Sequence, residues 1–449
     1  GALVGAALCG FSWIPTLGLA ATNNLAVGLD ASLGLGALVF GLWMPPEEVA
    51  ARDATAAQGL PLWREGGAYL VVLLSVTGAA AMALQVLWTR ALGTALGPST
   101  YAFTAIVCAY LGGLAIGSLV AARIADRIAT VRLALMLVLL ITAVSTLMGI
   151  AWVDDLPSLL HPIVLDRTLT MEGLVRSEFL LAALSVLPAT VGMGAIFPLT
   201  VSAVVGSEAR LGAAVGRAYA VNTVGSIFGS FAGVFILLPL FGVEGGMRVA
   251  ALCYVGAALY LSFRLEPSVQ GIVRAVSSGL AVAAAIAILV WPRWDVARWT
   301  AGIYRLSMTR AYFPDAEFTP SRLVFHRDGL ASTVTVEEDE GVRWIKVNGK
   351  IDGSSEGDMP TQVLSGLLPM MVHPKPREVA VIGCGSCVTV GAALQGNPNH
   401  VTLIELEREV VNAAALFSEV NHAPWGDPRV SVVEDDGRNF MMRPGSAFD

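Results

Sequence analysis

Between residues 377 and 407, two glycines, a serine, two cysteines and an acid stand in an order suited to holding a nucleoside. Residues 379–382 (Val-Ala-Val-Ile) form a short apolar run of the kind found in a buried parallel strand. Gly383 and Gly385 then let the backbone turn tightly against a ligand. Residues 389–394 can start a helix whose first amides face that ligand. Residues 401–404 read as a second strand, and Glu405 follows Gly383 by 22 residues. An acid at that spacing accepts hydrogen bonds from ribose hydroxyls. A third strand is expected within Asp427-Pro-Arg-Val-Ser-Val-Val-Glu-Asp-Asp436, which leaves Asp436 at a strand end where an adenine amino group can donate to it. Ser386 completes the turn, so Gly383, Gly385, Ser386, Glu405 and Asp436 are the candidate cofactor-binding residues. The plainer alternative is an ordinary α/β crossover with acidic strand ends.

Cys384-Gly-Ser-Cys387 sits inside the same turn. A Cys-x-x-Cys pair is a redox couple or half a zinc site. No second cysteine pair exists among the five cysteines, so no metal is assigned. A helix N-terminus beside the turn would lower a thiol pKa, whereas the plainer account is that the turn needs small residues.

The elements that must position this turn lie on its N-terminal side. Residues 323–326 and 333–337 alternate as strands do, and 344–347 lead into Asn348-Gly349, a strong hairpin turn. A small β element over 299–360 therefore precedes an α/β, Rossmann-like domain over 361–449, whose first helix is expected over 361–371. His373, before Pro374, reads as a turn residue. Gly1 opens inside an apolar run and Asp449 falls where a further strand should begin, so chain is expected beyond both ends.

Everything before residue 299 reads as membrane. Of 449 residues, 55% are hydrophobic and 14% charged, and the mean hydropathy is +0.68. Soluble domains carry about 25% charge. The net charge of −7 supplies no basic field, which excludes nucleic acid as a partner. Apolar spans are expected over 1–14, 19–43, 68–92, 100–122, 133–153, 179–205, 213–240 and 247–263, with a further possible span at 275–291. A polar loop is expected over 44–67, a mixed-charge loop over 154–178 and a linker over 264–298.

Phe11-Ser-Trp-Ile-Pro15-Thr-Leu-Gly18 matches Phe235-Ile-Leu-Leu-Pro239-Leu-Phe-Gly242. Residues 1–43 thus read as the end of one helix repeat and 68–263 as most of a second, each proline-glycine pair stopping a span. Gln85 and Asn222, polar at depth, are expected to bond neighbouring helices, and Asp30 is a third polar residue there. Glycines 112, 113, 117, 225, 229 and 233 offer small faces for close helix packing. Arg52, Arg64, Arg123, Arg127, Arg132, Arg210, Arg217, Arg264 and Arg274 fall on one side of the spans, and Arg167, Arg176 and Arg248 on the other. The first side is then cytoplasmic. If 275–291 spans, the terminal domain lies outside the cytoplasm; if it lies flat in the interface, the domain is cytoplasmic. Trp291, Trp294 and Trp299 suit either case.

Val347-Asn-Gly, Leu368-Pro369, His373-Pro374, Val381-Ile-Gly-Cys-Gly, Leu403-Ile-Glu405, Asp427-Pro-Arg-Val and Asp436-Gly-Arg438 carry a resemblance. From about residue 322 onward the chain resembles the spermidine synthase family of polyamine aminopropyltransferases. Leu87-Trp-Thr-Arg90, residues 111–117, Met193-Gly-Ala and Tyr219-Ala-Val-Asn-Thr-Val-Gly225 resemble bacterial proteins in which such a domain follows a multi-span, transporter-like region. Arg123-Ile-Ala-Asp126-Arg127 is similar to the loop motif of major-facilitator transporters, and also fits simple positive-inside anchoring.

The resemblance implies a small β element before a methyltransferase-like Rossmann domain. It also implies decarboxylated S-adenosylmethionine or S-adenosylmethionine as donor, and a bacterial inner-membrane location. The chain departs from the family on the amine side. Ser386-Cys387-Val388 replaces the family's Asp-Gly-Gly, Thr361-Gln362-Val363 replaces Tyr-His-Glu, and Asp352 stands for a donor-binding Gln. Its catalytic gate loop would fall beyond Asp449, which leaves Asp352 and Asp358 as the catalytic candidates. Three functions are expected from this pattern. They are a membrane-anchored transferase with an S-adenosyl-type donor, a catalytically inactive scaffold among other membrane-protein subunits, and a transporter with a nucleoside-sensing domain. The lipid bilayer is a partner in each.

Overall fold

Long apolar stretches must close their own backbone hydrogen bonds, and here they do so as helices. The structure, a computed structural model, describes residues 1–43, 67–128, 130–166, 170–204, 211–265, 271–305, 321–443 and 448–449. The polar stretch at 44–66 and Arg52, Arg64, Arg167 and Arg210 lie outside the described residues.

The helices are α1 (Ala2–Leu8), α2 (Ile14–Trp43), α3 (Ala68–Leu96), α4 (Thr100–Ile124), α5 (Val131–Leu165), α6 (Met171–Val204), α7 (Leu211–Ala232), α8 (Leu238–Ser262), α9 (Ile272–Val290) and α10 (Val296–Trp299). Among the described residues, seven helical stretches are long and apolar enough to cross a bilayer. Those from residue 68 onward bury part of their surface, whereas the first is almost wholly exposed, and Leu33, Leu240 and Leu289 stay at least 66% exposed. A helix apolar all round is one built for a non-aqueous setting.

Glycine faces bring the helices together. Gly113 and Gly117 of α4 lie against Thr190 and the Val191 carbonyl of α6, and Gly225 and Gly229 of α7 against the Ser75 and Ala79 carbonyls of α3. A Cβ at any of these four would strike its neighbour.

The matched segments around Pro15 and Pro239 share a backbone, though the prolines do not end the helices. A π-helical turn at Cys9–Trp13 precedes Pro15 and one at Gly233–Leu237 precedes Pro239. The break comes three residues after each proline, at Gly18 (φ +79°) and Gly242 (φ +70°). Proline is tolerated in a first helical turn, whereas positive φ cannot continue a right-handed helix. At Gly242 the chain doubles back, because a Cβ at Gly246 would lie 3.3 Å from that of Leu237.

The loop expected over 154–178 is mostly helix. Residues 154–165 belong to α5, and α6 begins at Met171. Mixed charge suggested a loop, but α5 runs through Asp154, Asp155 and both Pro157 and Pro162.

α9 runs antiparallel to α8. Ser262 and Ser278 share a hydrogen bond of 3.0 Å at one end, and at the other Arg248 Nη1 donates to the Ile288 carbonyl at 2.7 Å. The chain leaves α9 along that second end of the bundle. Trp294 Nε1 donates to Ile150 O (2.8 Å), the Asp295 amide to Asp154 Oδ1 (2.9 Å), and Trp299 Nε1 to Ala91 O (3.0 Å).

The β element is an antiparallel meander of β1 (Arg322–Asp328), β2 (Thr333–Asp339), β3 (Val342–Val347) and β4 (Lys350–Ser354) in sequential order. After α11 (Met359–Val372) come β5 (Glu378–Ile382), α12 (Val388–Gln395), β6 (His400–Glu405), α13 (Arg408–Ala414), α14 (Ser418–Asn421), β7 (Val430–Glu434) and α15 (Gly437–Met441). β5, β6 and β7 pair in parallel and in that order. Parallel strands joined by crossover helices give the Rossmann-like arrangement. Val334, Val336 and Ile345 share one apolar core with Val390, Val401 and Leu403, so the meander and the parallel sheet form one packed unit.

Two turns dock the meander on the bundle. Arg90 Nη2 donates to Leu330 O at 2.6 Å, and Asp328 Oδ2 accepts from the Val243 amide at 2.9 Å. Tyr304 Oη donates to Asn348 O at 3.2 Å.

Candidate functional site

Val379, Val381, Val401 and Leu403 set β5 and β6 in register, so their carboxyl ends finish side by side. The chain leaves β5 through Gly383 (φ +88°), whose amide donates to Ile404 O at 2.9 Å. Gly385 (φ +52°) follows, close enough to the meander that a Cβ would lie 3.1 Å from Asp352 O. Cys387 (φ +61°) is the residue before α12.

Glu405 closes the turn from the end of β6. Its Oε2 accepts from the Cys384 amide at 2.7 Å, and its Oε1 from the Glu407 amide at 2.9 Å. The carboxylate is thereby fixed at the mouth of the glycine turn, and each oxygen keeps a lone pair for a further donor. Asp436 follows β7, where its Oδ1 accepts from the Asn439 amide at 2.8 Å and caps α15. Gly437 lies against Ile382, so Asp436 stands beside the glycine turn. Gly383, Gly385, Glu405 and Asp436 therefore gather at the carboxyl ends of three parallel strands, where open α/β sheets bind ligands.

Ser386 is placed differently from the expectation. It is 1% exposed, and its hydroxyl bonds Gln362 Oε1. Its carbonyl accepts from Asn421 Nδ2 at 2.8 Å. It is a buried joint between the turn, α11 and α14, not an open ligand contact.

The two catalytic candidates also have partners. Asp352 is paired with the Lys350 ammonium. Asp358 Oδ1 accepts from the Ser354 amide (3.1 Å) and Gln362 Nε2 (2.8 Å), so it orders the start of α11. Cys384 and Cys387 form a disulfide, with Cα atoms 4.5 Å apart, inside the core under the turn.

Three residues matter whose roles the sequence did not show, Gln362 being marked only as a departure from the family pattern. Gln362 ties Asp358, Ser386 and Thr389 together. Asn421, fully buried, holds the Ser386 and Ala414 carbonyls. Glu407 Oε2 accepts the Ala331 and Ser332 amides at 2.8 and 2.9 Å, fixing the turn that docks on Arg90. A Glu two residues after Glu405 was the one visible signal for this.

Asp427-Pro-Arg-Val lies at the opposite end of β7. Arg429 bonds Asp427 through its side chain (2.7 and 3.0 Å) and its amide (2.9 Å), pulling the carboxyl down to about 2. Arg429 Nη1 also reaches Asn397 Oδ1 at 3.1 Å, so this motif is a structural joint.

Comparison with known proteins defines the class of this region. Residues 362–449 match the spermine/spermidine synthase domain. The chain is 25% identical over 126 residues to a polyamine aminopropyltransferase of Archaeoglobus fulgidus, covering 28% of this chain and 46% of that protein. It is 24% identical over 239 residues to a polyamine aminopropyltransferase of Corynebacterium efficiens, covering 52% of this chain and 43% of that protein. The latter alignment is longer than residues 299–449, so it extends into the helical region. The spermidine synthase of Thermotoga maritima is similar over 26% of this chain and 43% of its own, at 20% identity and a TM-score of 0.25. The chain thus spans less than half the length of these relatives. Its C-terminal part is a spermidine synthase-type domain, and its N-terminal part is a set of long apolar helices.

Proposed function

We propose that residues 299–449 form a nucleoside-binding domain of the aminopropyltransferase type, taking an S-adenosyl-type donor and carried on helices embedded in a bilayer. The observation that carries this reading is Glu405, bound to the Cys384 amide at the mouth of a glycine turn. It lies inside the stretch that matches the spermine/spermidine synthase domain. Glu405 would accept the ribose hydroxyls and Asp436 the adenine amino group. Decarboxylated S-adenosylmethionine is the donor that relatives of this type suggest. In that chemistry an amine nitrogen attacks the aminopropyl carbon next to the sulfonium, the thioether leaves neutral, and a carboxylate takes the amine proton.

Isothermal titration of the purified protein with decarboxylated S-adenosylmethionine, S-adenosylmethionine and methylthioadenosine tests it. Saturable binding of at least one, lost in Glu405→Ala, is expected. Absence of binding to all three sinks the nucleoside reading.

A second reading is favoured by the Asp352–Lys350 pair. A diamine carries two positive charges and needs unpaired carboxylates, but here a lysine already occupies Asp352. On this reading the domain keeps its fold as a scaffold within a larger membrane complex and transfers nothing. Stoichiometric co-purification with other membrane subunits, together with no turnover, would favour it.

A further inference from the structure

A cavity of about 1030 Å³ opens where the helical bundle meets the meander, away from the glycine turn. That is at the upper end of ligand pockets, about 300–1,000 Å³. One face of α3 lines it, with Met82, Gln85, Val86 and Thr89 following the 3.6-residue period. Ile14, Phe103 and Ile106 add apolar wall, and the turns at Leu330 and Asn348 close the far side.

Arg90 is the one ionisable side chain in this lining among the described residues. Its Nη2 donates to the Gly329 and Leu330 carbonyls at 3.3 and 2.6 Å. Its Nη1 is buried and has no hydrogen-bond partner among the described residues. The carboxylates of Asp328 and Glu407 lie within electrostatic reach, but neither lines the cavity. Each is engaged elsewhere, Asp328 by the Val243 amide and the Thr333 hydroxyl, Glu407 by the Ala331 and Ser332 amides. Nη1 itself is closed off from the cavity, so a ligand meets the guanidinium only where Arg90 lines the wall, and an anionic oxygen there would face the one cation of an otherwise mostly apolar lining. The rest of the lining is mostly apolar. A polar end with a single charge and a long apolar wall match a ligand of the same pattern.

We propose that this cavity is a binding site for an anionic amphiphile, a carboxylate or phosphate head on an apolar chain, with the head on Arg90 and the chain along Met82, Phe103 and Ile106. The site is independent of nucleoside binding by the C-terminal domain.

The full chain in a non-ionic detergent is titrated with a dansylated undecanoate and with its uncharged methyl ester, following dansyl fluorescence. Anionic phosphatidylglycerol retained on the protein is followed in parallel by native mass spectrometry. Either anionic probe binds the wild type. For the dansyl pair, the ester binds at least about tenfold more weakly than the acid, the loss expected for one charge-assisted hydrogen bond. Arg90→Gln weakens binding to the same degree. Met82→Trp intrudes on the apolar wall without touching the Arg90 hydrogen bonds, and weakens binding even if Arg90→Gln fails to fold. Retention of phosphatidylglycerol by the wild type and not by Met82→Trp assigns the head to a lipid phosphate. Binding of the undecanoate alone assigns it to a free carboxylate. The proposal is overturned if neither probe binds the wild type, if ester and acid bind equally, or if Met82→Trp binds like the wild type.

Discussion

In the proposed site, the amine half turns on Lys350. Its pair with Asp352 is partly exposed, at 48% and 27% for the two side chains, and such pairs contribute about 0–1 kcal/mol. Lys350→Ala should therefore leave stability nearly unchanged while freeing Asp352 for a cation. If Asp352 can receive an amine, putrescine affinity measured in the presence of methylthioadenosine should rise about two- to fivefold, the equivalent of one surface charge pair. An unchanged affinity would remove Asp352 from the amine site. Glu405→Ala tests the nucleoside half. It leaves the Cys384 amide without its acceptor, so urea denaturation should show a loss of about 1–3 kcal/mol alongside the loss of nucleoside binding. Glu405 was legible because its role depends on spacing along one strand-turn-helix-strand unit. Ser386 was not, because its burial is set by Gln362 and Asn421, which lie 24 and 35 residues away. Contacts of that range leave no local signal.

At the scale of elements, β1 and the break in α8 are joined through one carboxylate. Asp328 accepts from the Val243 amide, which the positive φ of Gly242 leaves free of its helical partner. Burial pushes the Asp328 carboxyl up, but His326, Val243 and Thr333 together outweigh it and hold the group below the usual carboxylate range. A folded-state value below the unfolded one, about 3.9, adds stability that is present above that pH and lost as pH falls through the folded value. Asp328→Asn should thus be less stable than wild type by about 1–3 kcal/mol at pH 6. The gap should begin to narrow below pH ~4 and go on shrinking toward pH 3, read as thermal unfolding of both proteins across pH 3–7. A gap that stays constant with pH would show that the carboxylate charge is not what holds the joint. The breaks themselves were half legible. The Pro-x-x-Gly repeat locates both as the stop, but the spacing does not say that within each pair the glycine, not the proline, carries the break. The extent of α5 was hidden because acidic residues and prolines signal a loop locally, while packing against α6 and α9 keeps the helix going.

For the whole molecule, the decisive relation is between the terminal domain and the arginine-rich end of the bundle. Arg248 donates to the Ile288, Trp291 and Pro292 carbonyls, so α9 finishes at the end of α8 opposite Arg264. The meander docks on that same end through Arg90, Val243 and Tyr304. Arg264 and Arg274 lie at the other end, where the sequence also assigns Arg123, Arg127 and Arg132. With α9 read as a membrane span, the positive-inside rule predicts that the spermidine synthase-type domain lies outside the cytoplasm. The Cys384–Cys387 disulfide agrees, because such bonds persist in oxidising compartments and are rare in the cytosol. A domain on that side would be cut off from a cytosolic S-adenosyl donor, so the side it occupies separates the transferase reading from the scaffold reading. The prediction is tested with Cys9, Cys108 and Cys253 replaced by serine and one reporter cysteine added, either Glu356→Cys in the domain or Arg264→Cys on the bundle. In intact spheroplasts a membrane-impermeant maleimide should label Glu356→Cys and spare Arg264→Cys. Thiols trapped by acid should show Cys384 and Cys387 unreactive until a reductant is added. Labelling of Arg264→Cys alone, with free thiols at Cys384 and Cys387, would place the domain on the donor's side of the membrane and count against the scaffold reading.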